Sequence, residues 1–288
     1  MFSPSSPLST LIIDGTRVDA FGCTDVGRVR SENQDQFLIA SLHRSVEIEQ
    51  TSIPVSEGQR FAPAARALLL LVADGVGGGA GGEEASKWTL DTIVRYVAGS
   101  SQLFRRLGED VEDRFLNDLT LAVQWSHAAL KDRAIEAPEL AGMATTLTMV
   151  LVMWPRAFVL QIGDSRCYHL RASILSQVTV DQTIARQLIE QGAMPEEAAE
   201  RSPLSHVLSQ SIGHQEPDVW PVISEVDLQT GDTLLLCSDG LMKHVPDGEI
   251  AELLGSATSA REAASGLVGA ALAAGGSDNV TVVATRFV

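Results

Sequence analysis

Four short acidic motifs are spread along the chain: Asn33-Gln34-Asp35, Asp74-Gly75, Ser238-Asp239-Gly240 and Ser277-Asp278-Asn279. Asp74 ends the apolar run 68–73, Asp239 follows the run 233–237, and Asp278 precedes the run 280–283. A carboxylate at the mouth of a buried strand is costly unless something compensates it. Several brought together repel one another. Hard divalent cations relieve that repulsion, and Mg²⁺ or Mn²⁺ prefer oxygen ligands of this kind. The pattern therefore points to an oxygen-lined, two-metal hydrolytic site. Taken singly each motif is an ordinary turn; recurrence at strand ends makes them a set.

Other chemistries fit less well. Gly77-x-Gly79-x-x-Gly82 formally matches the dinucleotide fingerprint. The parallel strand that should follow its helix is missing, because residues 99–134 read as a polar turn and another helix. No Lys lies in the loop, which excludes a P-loop. Its glycines instead permit sharp backbone geometry that lets a carbonyl reach a metal. Gly163-Asp164-Ser165-Arg166 links two strand patterns, and its plainest reading is a tight hairpin turn. Among His43, His127, His169, His206, His214 and His244 no two have metal-ligand spacing, which argues against zinc. Ser31, Ser165 and Ser238 lack a neighbouring His–Asp arrangement and a nucleophile elbow. Trp88 and Trp125 are expected to anchor the core.

Positioning these motifs falls to an α+β arrangement. Strand signals lie near 18–23, 36–40, 67–73, 144–153, 157–163, 166–171, 219–226, 232–238 and 279–286. Helical patterns cover 82–98, 109–134, 181–191, 247–254 and 259–273; in the second, Phe115, Leu119, Ala122, Val123 and Ala129 share a face. The order lacks the β-α-β alternation of a doubly wound fold, so antiparallel sheets covered by helices fit better. Residues 41–66 read as an insertion between two strands that otherwise form a hairpin, and 192–217 as a loop or flap. Residues 1–12 read as a flexible tail rather than a signal peptide, and 13–288 as one domain.

The 288 residues carry a formal net charge of −16 and no basic stripe, which disfavours nucleic acid as a partner. No apolar run approaches the length of a membrane span. Cys23, Cys167 and Cys237 form no C-x-x-C pair and read as buried free thiols in a reducing cytosol.

Seven segments form a longer signature: Thr24-Asp25-Val26-Gly27-Arg28-Val29-Arg30 with Asn33-Gln34-Asp35, Val72-Ala73-Asp74-Gly75-Val76-Gly77-Gly78, Gly82-Glu83-Glu84-Ala85-Ser86, Gly142-Met143-Ala144-Thr145-Thr146-Leu147, Gly163-Asp164-Ser165-Arg166, Cys237-Ser238-Asp239-Gly240-Leu241 and Ser277-Asp278-Asn279-Val280-Thr281. In this order they resemble the metal-dependent protein phosphatases, the type 2C serine/threonine phosphatases, and most of all their compact bacterial members. The resemblance spans about residues 18–287. It implies a four-layer α-β-β-α sandwich of two antiparallel sheets flanked by helices, with two Mn²⁺ or Mg²⁺ ions at one end. By the same resemblance Asp74 bridges both ions, the Gly75 carbonyl binds one, Asp239 and Asp278 hold the other, and Asp35 acts through water. Asp74, Asp239 and Asp278 then form the catalytic set. Arg30 matches the phosphate-binding arginine, Asp164 helps hold a weaker third ion, and 192–217 matches the mobile flap.

The implied activity is hydrolysis of phosphoserine and phosphothreonine in proteins by a water that two metals activate. The implied setting is a cytoplasmic monomer that opposes a serine/threonine kinase, with neither nucleic acid nor membrane as partner. Gln34 stands where many relatives have Glu. Val76, Gly79 and Gln182 stand where some place a His or Met, so the resemblance assigns no general acid. A catalytically weak pseudophosphatase that serves as a regulatory binding module is the alternative, and a metal-dependent phosphodiesterase for small molecules is a third reading. For Arg30 the plain alternative is a surface arginine paired with Glu32, worth about 0–1 kcal/mol.

Overall fold

Four consecutive leucines, Leu68 to Leu71, decide the architecture. Neighbours in a strand point to opposite faces, so such a run needs apolar cover on both sides. The computed structural model describes residues 11–43, 46–47, 60–61, 65, 67–77, 80–99, 109–199 and 202–288. In it each of the four leucines is at most 1% exposed. Burying one leucine contributes about 1.5–3 kcal/mol. A two-layer fold that left alternate ones wet would forfeit a large share of a marginal stability.

The chain begins with β1 (Leu11–Ile13), β2 (Thr16–Asp25) and β3 (Gln36–Leu42). Two short paired strands, β4 (Val46–Glu47) and β5 (Arg60–Phe61), precede β6 (Ala67–Ala73) and β7 (Gly75–Val76). Two long helices follow, α1 (Ala80–Gly99) and α2 (Glu109–Glu136). Next come β8 (Ala144–Thr145), β9 (Leu147–Met153), β10 (Arg156–Ile162), β11 (Arg166–Arg171) and β12 (Ile174–Gln177). Helices α3 (Ile184–Glu190) and α4 (Glu196–Ala199) lead to β13 (Val222–Asp227) and β14 (Thr233–Cys237). Helices α5 (Asp239–Met242), α6 (Asp247–Ser256) and α7 (Ala260–Ala273) precede the long strand β15 (Val280–Phe287).

One sheet has the order β1-β2-β15-β14-β11-β12 and the other β13-β10-β9-β6-β3. Pairing within both is antiparallel. Leu69 and Leu71 of β6, with Met149 and Leu151 of β9, pack in one core with Ile93 of α1 and Leu119 of α2. Leu68 and Leu70 face the other way, into a core shared with Val283 of β15 and Leu234 of β14. Leu235 of β14 and Val282 of β15 pack with Leu267 of α7 and Ile250 of α6. The layers are thus helix, sheet, sheet, helix.

The register brings the acidic motifs to one end of both sheets. Gln36 opposes Ala73, so the start of β3 and the end of β6 lie together, and Asp35 and Asp74 with them. Val72 opposes Thr148, and Ile162 opposes Leu147, which puts Asp164 at that same end. Cys237 opposes Val282, so Asp239 and Asp278 flank the neighbouring strand ends of the second sheet.

Several expectations change. Leu11 and Ile12 belong to β1 rather than to a tail; residues 1–10 lie outside the described residues. A three-residue edge strand is too short to show alternation, and β12 escapes notice for the same reason. β3 and β6 do pair as a hairpin, but most of 41–66 lies outside the described residues, as do Gly78, Gly79 and the Phe115 side chain. Gly163 to Ser165 is no hairpin turn, because β10 and β11 belong to different sheets. Trp125 is 70% exposed, so it anchors no core. It projects from the outer side of α2, whose inward positions Ala122, Val123 and Ser126 are buried. Trp88 is half-exposed as well, under the Arg133 guanidinium at 4.7 Å. Among the described residues no helix is long and apolar enough to cross a membrane.

The two sheets touch at Gly22, where an added Cβ would overlap the Phe37 ring. Gly22→Ala is expected to destabilise the fold by about 1–3 kcal/mol, the usual cost of overpacking. Urea unfolding followed by circular dichroism would read it; an unchanged midpoint would show that the ring swings clear.

Candidate metal centre

Five carboxylates gather where the two sheets end. Asp35 is 2% exposed, and its Oδ2 accepts a 2.7 Å hydrogen bond from Ser238 Oγ. Its Oδ1 is buried and accepts no hydrogen bond among the described residues. Asp74 is held by its backbone: its N–H donates to Thr146 Oγ1 at 3.0 Å, and its carbonyl accepts from Thr145 Oγ1 at 2.9 Å. The Gly75 N–H donates to the Gln34 carbonyl, and a side chain at 75 would strike Gly82 and Gln34. The glycine at 75 thus lets helix α1, the loop before β3 and the end of β6 close on one another. Gly75 also pairs with Thr145.

Burial and mutual repulsion act on this group. Burial pushes the Asp35 carboxyl up to about 6, with the Asp239 and Asp278 charges adding and the Ser238 and Thr281 hydroxyls opposing. Asp74 keeps some solvent access, yet burial first, then the charges of Asp35, Asp239, Asp164 and Asp278, holds its pKa well above the ordinary value. Asp164 is pushed up to about 7 by burial, then by Asp239 and Asp181, while Lys243 pulls it down. Uncompensated carboxylates of this kind are expensive. A cation among them would remove the expense.

Asp278 differs. Arg30 Nε lies 2.7 Å from its Oδ1, and Arg30 Nη2 donates to its Oδ2 at 3.0 Å. Lys243 Nζ lies 2.8 Å from the same Oδ2 and 2.6 Å from Asp239 Oδ2. Burial opposes ionisation of Asp278, but the hydrogen bonds from Arg30 and Lys243 outweigh it, and its pKa is lowered. Arg30 therefore pairs across the molecule with Asp278 and not with Glu32. Among the described residues no three carboxylates close on one point as a finished ligand cluster does. Two side-chain cations fill part of the gap.

Asn279 staples the two termini of the site together. Its Oδ1 accepts from Gln34 N–H, and its Nδ2 donates to the Val26 and Glu32 carbonyls, all at 2.9 Å. Arg28 is also fixed: its Nε donates to the Leu272 carbonyl at 2.8 Å. Gln182 Oε1 accepts from Gly163 N–H at 2.7 Å, and Ser209 N–H donates to the Gln182 carbonyl, which links the Asp164 turn to the 192–217 stretch. A cleft of about 610 Å³ opens beside the carboxylates, lined by Asp164, Asp239, Lys243, Arg166, Asp181 and Arg186 among others. Cys167, raised to about 12 by burial, is an inert thiol.

All sequence-derived site residues thus lie at this end of the molecule. Asp74 feels the charges of Asp35, Asp239, Asp164 and Asp278, Arg30 binds Asp278, and Gly75 makes the close approach. Lys243, Ser238, Asn279 and Gln182 were not assigned site roles from the sequence. Lys243 carries a positional signal, four residues after Asp239 on one helical turn, while Ser238, Asn279 and Gln182 show only as members or neighbours of the motifs.

The sequence model of the protein phosphatase 2C family matches residues 60–273. Over 220 residues the chain is 37% identical to the serine/threonine protein phosphatase PstP of Mycobacterium tuberculosis, a match covering 76% of this chain and 40% of that protein. The chain thus spans less than half the length of that relative. Over 260 residues it is 30% identical to the protein phosphatase PhpP of Streptococcus pneumoniae, covering 90% of this chain and 93% of the other. The crystal structure of the PstP catalytic domain in complex with two manganese ions superposes with a TM-score of 0.71 at 31% identity, covering 94% and 98% of the two chains.

The electrostatics separate two substitutions. Asp74→Asn removes a half-buried charge crowded by Asp35, Asp239, Asp164 and Asp278, and is expected to raise the thermal midpoint in chelator by roughly 2–6 °C. Asp278→Asn removes the carboxylate that pairs with Arg30 and one of the two that pair with Lys243, and is expected to lower it by a similar amount, roughly 2–6 °C. Shifts of the same sign in both would refute this division.

Proposed function

We propose that this chain, which belongs to the protein phosphatase 2C family, hydrolyses phosphoserine and phosphothreonine in proteins with two bound Mn²⁺ or Mg²⁺ ions. One observation carries the reading: Asp35, Asp74 and Asp164 lie at one end of both sheets with their pKa values raised, and Asp35 Oδ1 accepts no hydrogen bond among the described residues. An all-oxygen set of this kind fits hard divalent ions. The manganese-bound PstP neighbour supports the same metal class.

In this reading Asp74 would help hold both ions, the Gly75 carbonyl would hold one of them, Asp239 and Asp278 would hold the other, and Asp35 would act through water. Asp164 would help hold a weaker third ion. When bound, the ions supply Lewis acidity toward a water and toward the phosphoryl oxygens. The protein's own part is positioning. Ser238 orients Asp35, the Thr145 and Thr146 hydroxyls fix the Asp74 backbone, and Asn279 holds the Asp278 loop against Gln34. Arg30 carries a planar fork suited to two phosphate oxygens. Its side chain is 56% exposed, which leaves it free to turn from Asp278 to an incoming phosphate.

Phosphoseryl and phosphothreonyl proteins arise only through a kinase, so a serine/threonine kinase is the opposing activity. Three unpaired cysteines suit a reducing, cytoplasmic setting.

Turnover should appear with an aryl phosphate monoester and a phosphothreonine peptide, require Mn²⁺ or Mg²⁺, and be absent with a diester. Activity that survives exhaustive chelation would refute the metal role, diester preference would favour a phosphodiesterase, and metal binding without turnover would favour a binding module. Asp239→Asn and Asp164→Ala should both lose turnover, the latter while still binding two ions by calorimetry.

Arg30→Ala should raise KM and weaken inhibition by inorganic phosphate, with Arg30→Lys restoring only part. Arg28 is no neutral control for this test, because it ties the N-terminal loop to Leu272.

A further inference from the structure

Lys243 stands out as a charge that the proposed reaction does not use. It follows the single turn of α5, yet it does more than pair with Asp239 four residues earlier. Its ammonium also reaches Asp278, 35 residues away on the loop before β15. The Lys243 side chain is 26% exposed, against 19% for Asp239 and 18% for Asp278. Such a pair is screened far less than a surface one. Both carboxylates are the ones that the reading above gives to one ion.

We infer that Lys243 is a tethered competitor for divalent metal: its ammonium neutralises Asp239 and Asp278 in the metal-poor protein and must leave when an ion enters between them. The inference rests on the metal reading of the preceding section. Its physical basis is simple. An ammonium and a divalent cation cannot share the same two carboxylate oxygens at close range without strong repulsion. Lys243 has a flexible four-carbon stem and lines the open cleft of about 610 Å³, into which the ammonium can swing toward solvent. The affinity for metal is then the difference between two cations' hold on one site, rather than the hold of the ion alone.

Two consequences follow, and neither is read through activity. The first is metal affinity. Lys243→Met keeps the apolar stem and removes the charge, so the Mn²⁺ dissociation constant from calorimetry should fall by about tenfold or more. Lys243→Arg keeps the charge and should stay close to wild type. The second is stability: in chelator Lys243→Met should melt below wild type, and its Mn²⁺-induced rise in midpoint should exceed the wild-type rise. If Lys243→Met does not fold, Lys243→Gln serves in its place, with circular dichroism as the check. Equal or weaker Mn²⁺ affinity in the folded neutral variant would overturn the inference while leaving the metal site intact. No Mn²⁺ uptake by wild type or variant would overturn the metal reading and this inference together.

Discussion

Repulsion among like charges is the constraint on which this end of the molecule turns. Five carboxylates occupy a region that burial makes poor at screening them. Most of the local structure is an answer to that crowding. Ser238 gives Asp35 one hydrogen bond, and its second oxygen accepts none among the described residues. Lys243 and Arg30 quiet Asp278, while Asp74 and Asp164 are left under tension. The sandwich supplies the rigidity that keeps such groups from drifting apart.

The same constraint explains why catalysis and stability pull apart here. A protein built only to persist would replace some of these carboxylates with neutral residues. A protein built to recruit divalent ions keeps them and meets part of the electrostatic cost with side-chain cations. The proposed function gives this region two tasks, with Arg30 for phosphate and the carboxylates for metal.

Much of this was legible in the sequence, for physical reasons that differ from element to element. Long apolar strands such as β6, β9 and β15 announce themselves because both faces are buried. The acidic motifs could be recognised as a set because each stands at the end of such a strand. The antiparallel character followed from the order of strands and helices. What escaped notice depends on contacts far apart along the chain. Nothing near Asn279 says that its side chain reaches Val26, Glu32 and Gln34. Nothing near Gly163 says that the chain changes sheets there, since a turn and a crossover use the same residues. Trp125 misled because its size suggests burial, whereas only its position around α2 decides which side it takes.

Strand β15 lies in the middle of its sheet, between β2 and β14. Its Thr281 meets Thr24 of β2 across 257 residues of sequence. A chain emerging from the ribosome therefore presents β2 long before its neighbour exists. Until β15 arrives, that side of β2 is an unsatisfied edge, open to wrong partners. The site shares this fate, because Asp278 and Asn279 introduce the same late strand. Assembly of the carboxylate group and completion of the sheet thus become one event in the life of a newly made molecule.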